Sequence, residues 1–150
     1  MIKYITTALV LVLFGLQLNS TTNHQICEGI VPDNDLYIPP FSFFSLDDPT
    51  GITEEQFNAV IDKTEAVYKD IIAEMGGDLQ FQRNWDDGTV NAFANREGDT
   101  WLVAMFGGLA RHFTITEDAF MMVVCHELGH HIGGAPKYNG DDWASNEGQA

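Results

Sequence analysis

Two histidines four residues apart constrain this chain more than any other feature. They lie in His126-Glu127-Leu128-Gly129-His130, and the apolar run Ala119–Cys125 leads straight into them. On an α-helix, residues four apart share a face. Both imidazoles can then reach one Zn²⁺ at roughly 2.0–2.1 Å. Glu127, next to the first ligand, can reach a water held in the ion's open coordination position. The segment is therefore read as a helix with both histidines on one face. Two imidazoles, a base and an open position are the parts of a metal-dependent hydrolase.

The flanking residues delimit that helix. Thr116 is an N-cap, and Glu117 and Asp118 suit the positive end of the helix dipole. Gly133-Gly134, with Pro136 just beyond, stops it. An earlier helix begins at the capping box Thr53-Glu54-Glu55-Gln56 and ends at Gly76-Gly77. Its apolar positions, Phe57, Val60, Ile61, Val67, Tyr68, Ile71, Ile72 and Met75, read as one stripe. Between the helices, Leu79, Phe81 and Trp85 alternate with polar residues. Asp87-Gly88 is a hairpin signal, Val90–Ala94 is a short strand, and Thr100–Phe106 is a strand apolar on both faces. The predicted fold is α+β: a long N-terminal helix, a small antiparallel sheet, and the histidine-bearing helix against one sheet face.

At 150 residues the chain suits one domain with a true core. Lys3 followed by the apolar run Tyr4–Leu18 reads as a secretory signal peptide over residues 1–20, leaving 21–150 as the folded domain. The run is short for a membrane span, which needs about 20 apolar residues. The mature protein is expected to be exported, periplasmic or extracellular, without stable membrane insertion. The aromatics Phe41, Phe43 and Phe44 are expected to lie on the core as part of an extended lead-in. With 7 basic against 22 acidic residues, the chain repels nucleic acid. Export permits a disulfide between Cys27 and Cys125; the alternative is a buried free thiol at Cys125.

A catalytic zinc usually has three protein ligands. The position six residues after His130 is Pro136, which cannot bind metal, and His131 points about 100° away from His130 around the helix. Glu147 is the better third ligand, early in a second helix that Ser145 or Asn146 would cap; Asp141 and Asp142 compete from the connecting loop.

The segments Val90-Asn91-Ala92-Phe93-Ala94, Gly108-Leu109-Ala110, Cys125–His130 and Glu147-Gly148-Gln149-Ala150, in this order, resemble the gluzincin metallopeptidases. The likeness is to the branch of HtpX-like and CAAX-prenyl-protease-like enzymes and their soluble exported relatives. The resemblance implies a zincin-like fold and a zinc-dependent endopeptidase. His126, His130 and Glu147 would bind Zn²⁺, Glu127 would be general base, and Asn91, Ala92 and Phe93 would form the edge strand that pairs with a polypeptide substrate. Such enzymes carry an aspartate four residues after the glutamate, supporting a zinc histidine. This chain stops at Ala150, one residue earlier, so the resemblance implies a C-terminally truncated domain. A transition-state donor would also come from later sequence; Tyr138 and Arg111 are the nearby substitutes. The rival reading is a zinc-stabilised module that grips extended polypeptide without cutting it.

Overall fold

A computed structural model describes residues 31–32, 34–40, 51–138 and 141–150. The expected signal peptide, Cys27 and the aromatics at 41, 43 and 44 lie outside the described residues. The element order is α1 (Glu54–Glu74), β1 (Asp78–Asn84), β2 (Ala92–Glu97), β3 (Thr100–Phe106), the short α2 (Gly107–Ala110) and α3 (Glu117–Ile132). The fold is α+β, as predicted. No helix among the described residues is long and apolar enough to cross a membrane.

Helix α1 starts at its capping box. Thr53 Oγ1 accepts from the Gln56 N–H at 3.2 Å, and Gln56 Oε1 accepts from the Thr53 N–H at 2.9 Å. Its buried face is narrower than the predicted stripe. Phe57, Val60, Ile61, Thr64 and Ile72 are buried, while Val67, Ile71 and Met75 are exposed. At 3.6 residues per turn the latter three form a separate row beside the core face. Gly76, at φ +87°, turns the chain out of the helix.

The sheet corrects the antiparallel prediction. Its order is β1-β3-β2, with β1 parallel and β2 antiparallel to β3. Asp87-Gly88 does not join β1 to β2 as a hairpin. Asp87 Oδ1 instead accepts from the Thr89 N–H at 2.9 Å and from Thr89 Oγ1 at 2.7 Å, closing a local turn. The chain then passes to the far side of β3. Composition explains the order. In β3, Trp101, Val103, Ala104 and Met105 are buried, so both of its faces are covered. In β1, Leu79 is buried but Gln80 and Gln82 are exposed, which suits an edge. Gly98, at φ +59°, makes the tight β2–β3 turn.

Helices α1 and α3 pack against each other and against the sheet. Phe57 meets Phe120 at 5.1 Å and Trp85 at 5.4 Å between ring centroids. Leu79, Ala92, Val103, Met105, Val124 and Leu128 continue that core. Arg83 of β1 reaches back to α1, pairing with Asp62 at 2.7 Å and Glu65 at 3.0 Å. Helix α3 is thereby fixed along its apolar side, and the face carrying His126 and His130 is met by the segment that returns at Ser145.

Candidate metal centre

Helix α3 begins where Thr116 Oγ1 accepts from the Ala119 N–H at 3.2 Å. Val123, Val124 and Leu128 are buried, which fixes the rotation of the helix. That rotation puts His126 and His130 side by side, with ring centroids 4.8 Å apart and nearly perpendicular. After Gly133 the chain runs out through Pro136 and Tyr138 and returns along α3. The return is tied by Tyr138 N–H to Ala144 O at 2.7 Å, Asn146 N–H to Pro136 O at 3.0 Å, and Ser145 N–H to His130 O at 2.8 Å. Glu147 follows at once, in a single turn where Asn146 O accepts from Gln149 N–H at 2.9 Å and from Ala150 N–H at 3.0 Å. The expected second helix is not formed among the described residues: Glu147 lies in a hydrogen-bonded turn.

This return brings three residues that could hold a metal together. Ligand atoms of His126, His130 and Glu147 all lie within 4.8 Å of one another. Glu147 Oε2 is 3.0 Å from His126 Nε2, and Glu147 Oε1 is 3.7 Å from His130 Nε2. Four-coordinate zinc, with bonds of about 2.0–2.2 Å, separates its ligand atoms by roughly 3.3–3.5 Å. Those two contacts lie within about 0.5 Å of that spacing, and the whole set, spread over up to 4.8 Å, would draw together by up to about 1.5 Å around an ion.

The state of His130 also suits a ligand. It is fully buried, and its Nδ1 lies 2.8 Å from the Ser145 carbonyl oxygen. A carbonyl can only accept, so Nδ1 carries the proton and Nε2 keeps its lone pair. That Nε2 is buried with no hydrogen-bond partner among the described residues, and it faces Glu147. A buried nitrogen left this way is costly unless something binds it. Ser145, which sequence reading noted only as a possible cap, thus orients a metal-ligand candidate through its main chain.

Two glycines let the return segment approach. A Cβ on Gly129 would fall 2.6 Å from the Ala150 carbonyl carbon, and one on Gly133 would fall 2.5 Å from Gln149 O. They lie four residues apart on one helix face. In sequence, Gly133 reads as a helix stop and as the glycine ahead of a third-histidine position that Pro136 fills, and Gly129 as an unspecified motif position.

Glu127 is fully buried, with Oε2 4.0 Å from His130 Nε2. His126 and Glu147 keep 19% and 49% of their side-chain surface, so the cluster opens to solvent on the Glu147 side. The other residues singled out by sequence lie elsewhere. His131 faces the sheet, its Nε2 donating to Leu102 O at 3.0 Å. Its pKa is pushed down to about 4, chiefly by burial, with Arg96 and His130 adding to the effect against the Leu102 hydrogen bond. Asp141 and Asp142 fall outside the three-ligand group. Arg111 is a staple, donating to Ile38 O, Trp85 O and Asp87 O at 2.8–3.1 Å and stacking on Trp85. Those bonds engage all three of its guanidinium nitrogens, which removes it as a transition-state donor. Tyr138 sits in the outgoing loop, half-buried. Cys125 carries a free thiol on an exposed residue; burial of the thiol raises its pKa.

The expected substrate edge is modified. Ala92 and Phe93 do lie on the edge strand β2, Ala92 buried and Phe93 packed on Phe106 at 5.8 Å. Asn91 precedes the strand. Its side-chain amide is taken by the chain's own Val31, accepting from the Val31 N–H at 3.2 Å and donating to Val31 O at 3.0 Å. The lead-in continues beside it, with Ile38 N–H to Gly88 O at 2.7 Å and Val90 N–H to Leu36 O at 3.4 Å. On β2 itself, the Ala92 N–H donates to Asn91 Oδ1 at 2.9 Å and the Arg96 N–H to Asn95 Oδ1 at 2.9 Å.

Comparison with protein-family models, with curated proteins and with solved structures gives no match to this chain.

Proposed function

We propose that this protein is an exported zinc-dependent endopeptidase of the gluzincin kind. His126, His130 and Glu147 would hold the ion, and Glu127 would act as general base. The observation that carries the reading is the buried Nε2 of His130, without a hydrogen-bond partner among the described residues, facing Glu147 with its tautomer set by Ser145. Two imidazoles and one carboxylate suit zinc, whereas calcium and magnesium prefer shells of oxygen.

When bound, zinc polarises a carbonyl and makes water acidic near neutral pH. The residues do the rest. Helix α3 holds the two imidazoles at fixed separation, and the His130 Nδ1–Ser145 bond keeps the second from turning. Glu127, buried beside them, takes the proton of the attacking water and returns it to the amide nitrogen as the C–N bond breaks. The exposed side of Glu147 leaves a path for polypeptide, and an extended substrate pairing with the edge strand β2 would have to displace the Asn91 and Asn95 side chains from the Ala92 and Arg96 N–H groups.

The test is Glu127→Gln. The variant should retain zinc and peptide binding yet cleave an unfolded casein-type substrate roughly 10²–10⁴-fold more slowly than wild type. A chelator should silence the wild type. Equal cleavage by both proteins overturns the hydrolytic role. If neither protein cuts, while both bind zinc and extended peptide, the activity is binding without proteolysis.

A further inference from the structure

His131 is adjacent to a metal-ligand candidate but turned away from it, into the protein. It is 3% exposed, and its ring is sandwiched between two tryptophans. Trp101 of β3 stacks on one side at 5.5 Å and 17°, and Trp143 of the return loop on the other at 5.0 Å and 24°. Arg96 of β2 completes the group. Its guanidinium lies 3.6 Å from the Trp101 ring centre and 5.2 Å from that of Trp143, and Nη2 donates to His131 O at 3.2 Å. Helix α3 and strand β2 thus meet Trp143 of an otherwise irregular loop through His131 and Arg96, both of which are backed by Trp101 of β3.

We propose that Arg96, Trp101 and His131 are positioning residues that act through Trp143 to seat Glu147, and not Asp141 or Asp142, at the metal. The inference rests on the zinc-site reading above. Trp143 is two residues before Ser145 and four before Glu147. Its ring is gripped by the sandwich, and its carbonyl accepts from Lys137 Nζ at 2.8 Å. Ser145 is held from both sides by His130, through its N–H and its carbonyl, each at 2.8 Å. Only Asn146 then separates a fixed main chain from Glu147. The same anchor governs the rival carboxylates. Asp141 Oδ1 accepts from the Asp142 N–H at 2.8 Å, folding the loop on itself, and while burial lowers the Arg96 pKa, the charges of Asp142 and Asp141 act against that shift. Flat rings suit this task because a stack fixes the orientation of the loop as well as its distance.

The test is a double-mutant cycle on the 150-residue protein, read as zinc affinity by chelator competition. Trp143→Ala should weaken zinc about 10–100-fold, the range for loss of a supporting residue. Glu147→Ala should weaken it at least as much, and the double variant should be no worse than Glu147→Ala alone. Trp143→Phe, which keeps a flat ring, should recover most of the loss. With Co²⁺ as the probe, the absorption spectrum of Trp143→Ala should shift toward that of Glu147→Ala. If Trp143→Ala fails to fold, Arg96→Lys serves in its place, since it keeps the charge and loses the planar stack. Wild-type affinity in Trp143→Ala, an equal added loss in the Glu147→Ala background, or no recovery with Phe each overturns the brace. A Glu147→Ala protein that binds zinc like wild type overturns the metal-site reading, and the brace with it.

Discussion

Replacing Gly129 by alanine separates stability from metal binding, because the two should move in opposite directions. Gly129 is inside helix α3, where alanine is favoured by about 0.8–1.0 kcal/mol through helix propensity. In the metal-free protein that gain should hold or raise the melting temperature, by roughly 2–4 °C if fully realised. The new Cβ, however, would lie 2.6 Å from the Ala150 carbonyl carbon and 2.9 Å from its Cα. Carbon atoms in contact sit about 3.5–4.0 Å apart, so the last turn must retreat by on the order of 1 Å. Ala150 is bonded to Asn146 O within the turn that carries Glu147, and that turn has little else to bend. Metal–ligand distances tolerate only about 0.2 Å. Zinc affinity should therefore fall about 10–100-fold, or roughly 1.4–2.8 kcal/mol. Chelator competition for zinc, beside thermal melting of the metal-free protein, measures both quantities. Unchanged zinc affinity in a folded Gly129→Ala protein would refute the idea that close packing on this glycine seats the third ligand.

Two further predictions concern the ligand set and pH. His126→Ala, His130→Ala and Glu147→Ala should each lose zinc strongly, while Asp141→Ala and Asp142→Ala should bind it like wild type; elemental analysis after dialysis ranks them, and the reverse ranking moves the third ligand into the loop. His131 is held neutral in the fold, with its pKa lowered from 6.5 to about 4, so its contribution is fully present above pH 6.5 and is lost as pH falls toward 4. The loss should approach roughly 3 kcal/mol, seen as a falling melting temperature over that window in metal-free protein. His131→Phe, which keeps a ring in the stack without a titrating nitrogen, should flatten the profile, and an unchanged slope in that variant would assign the acid sensitivity to other groups.

Much of the fold was legible because its signals are local. The capping box at Thr53, the cap at Thr116 and the glycine stops describe single helix ends, and both helices begin where those residues put them. Strand order was not legible in the same way. Asp87-Gly88 reads as a hairpin only if β1 and β2 are assumed to pair. Their partner is settled by competition for β3, the strand whose two faces are both apolar. β1 and β2 each have a less buried face and so take the two edges. The width of the α1 stripe was misjudged for a related reason. Val67, Ile71 and Met75 are apolar at helical spacing, but spacing alone does not say which row a neighbouring element covers.

The candidate site divides along the same line. Its helical half follows from spacing, since His126 and His130 share a face of any helix that buries Val123, Val124 and Leu128. Its other half depends on contacts between residues far apart in sequence. Glu147 arrives because the main chain of Ser145 bonds His130 in both directions, because Trp143 stacks on His131, and because Gly129 and Gly133 leave room. Each of these residues has an ordinary local reading as cap, loop aromatic or helix stop. Their second role is visible only as a set: small residues at i and i+4 on one helix face, followed by a loop that can return to it. The physical consequence is that the two halves differ in dependence. The imidazole pair exists whenever α3 is folded, whereas the carboxylate is present only while the return segment is docked. Metal affinity should therefore be more sensitive to changes along residues 133–150 than the stability of the α1–sheet–α3 core, and the Gly129→Ala and Trp143→Ala proteins probe that difference from the two sides of Glu147, through Ala150 after it and Trp143 before it.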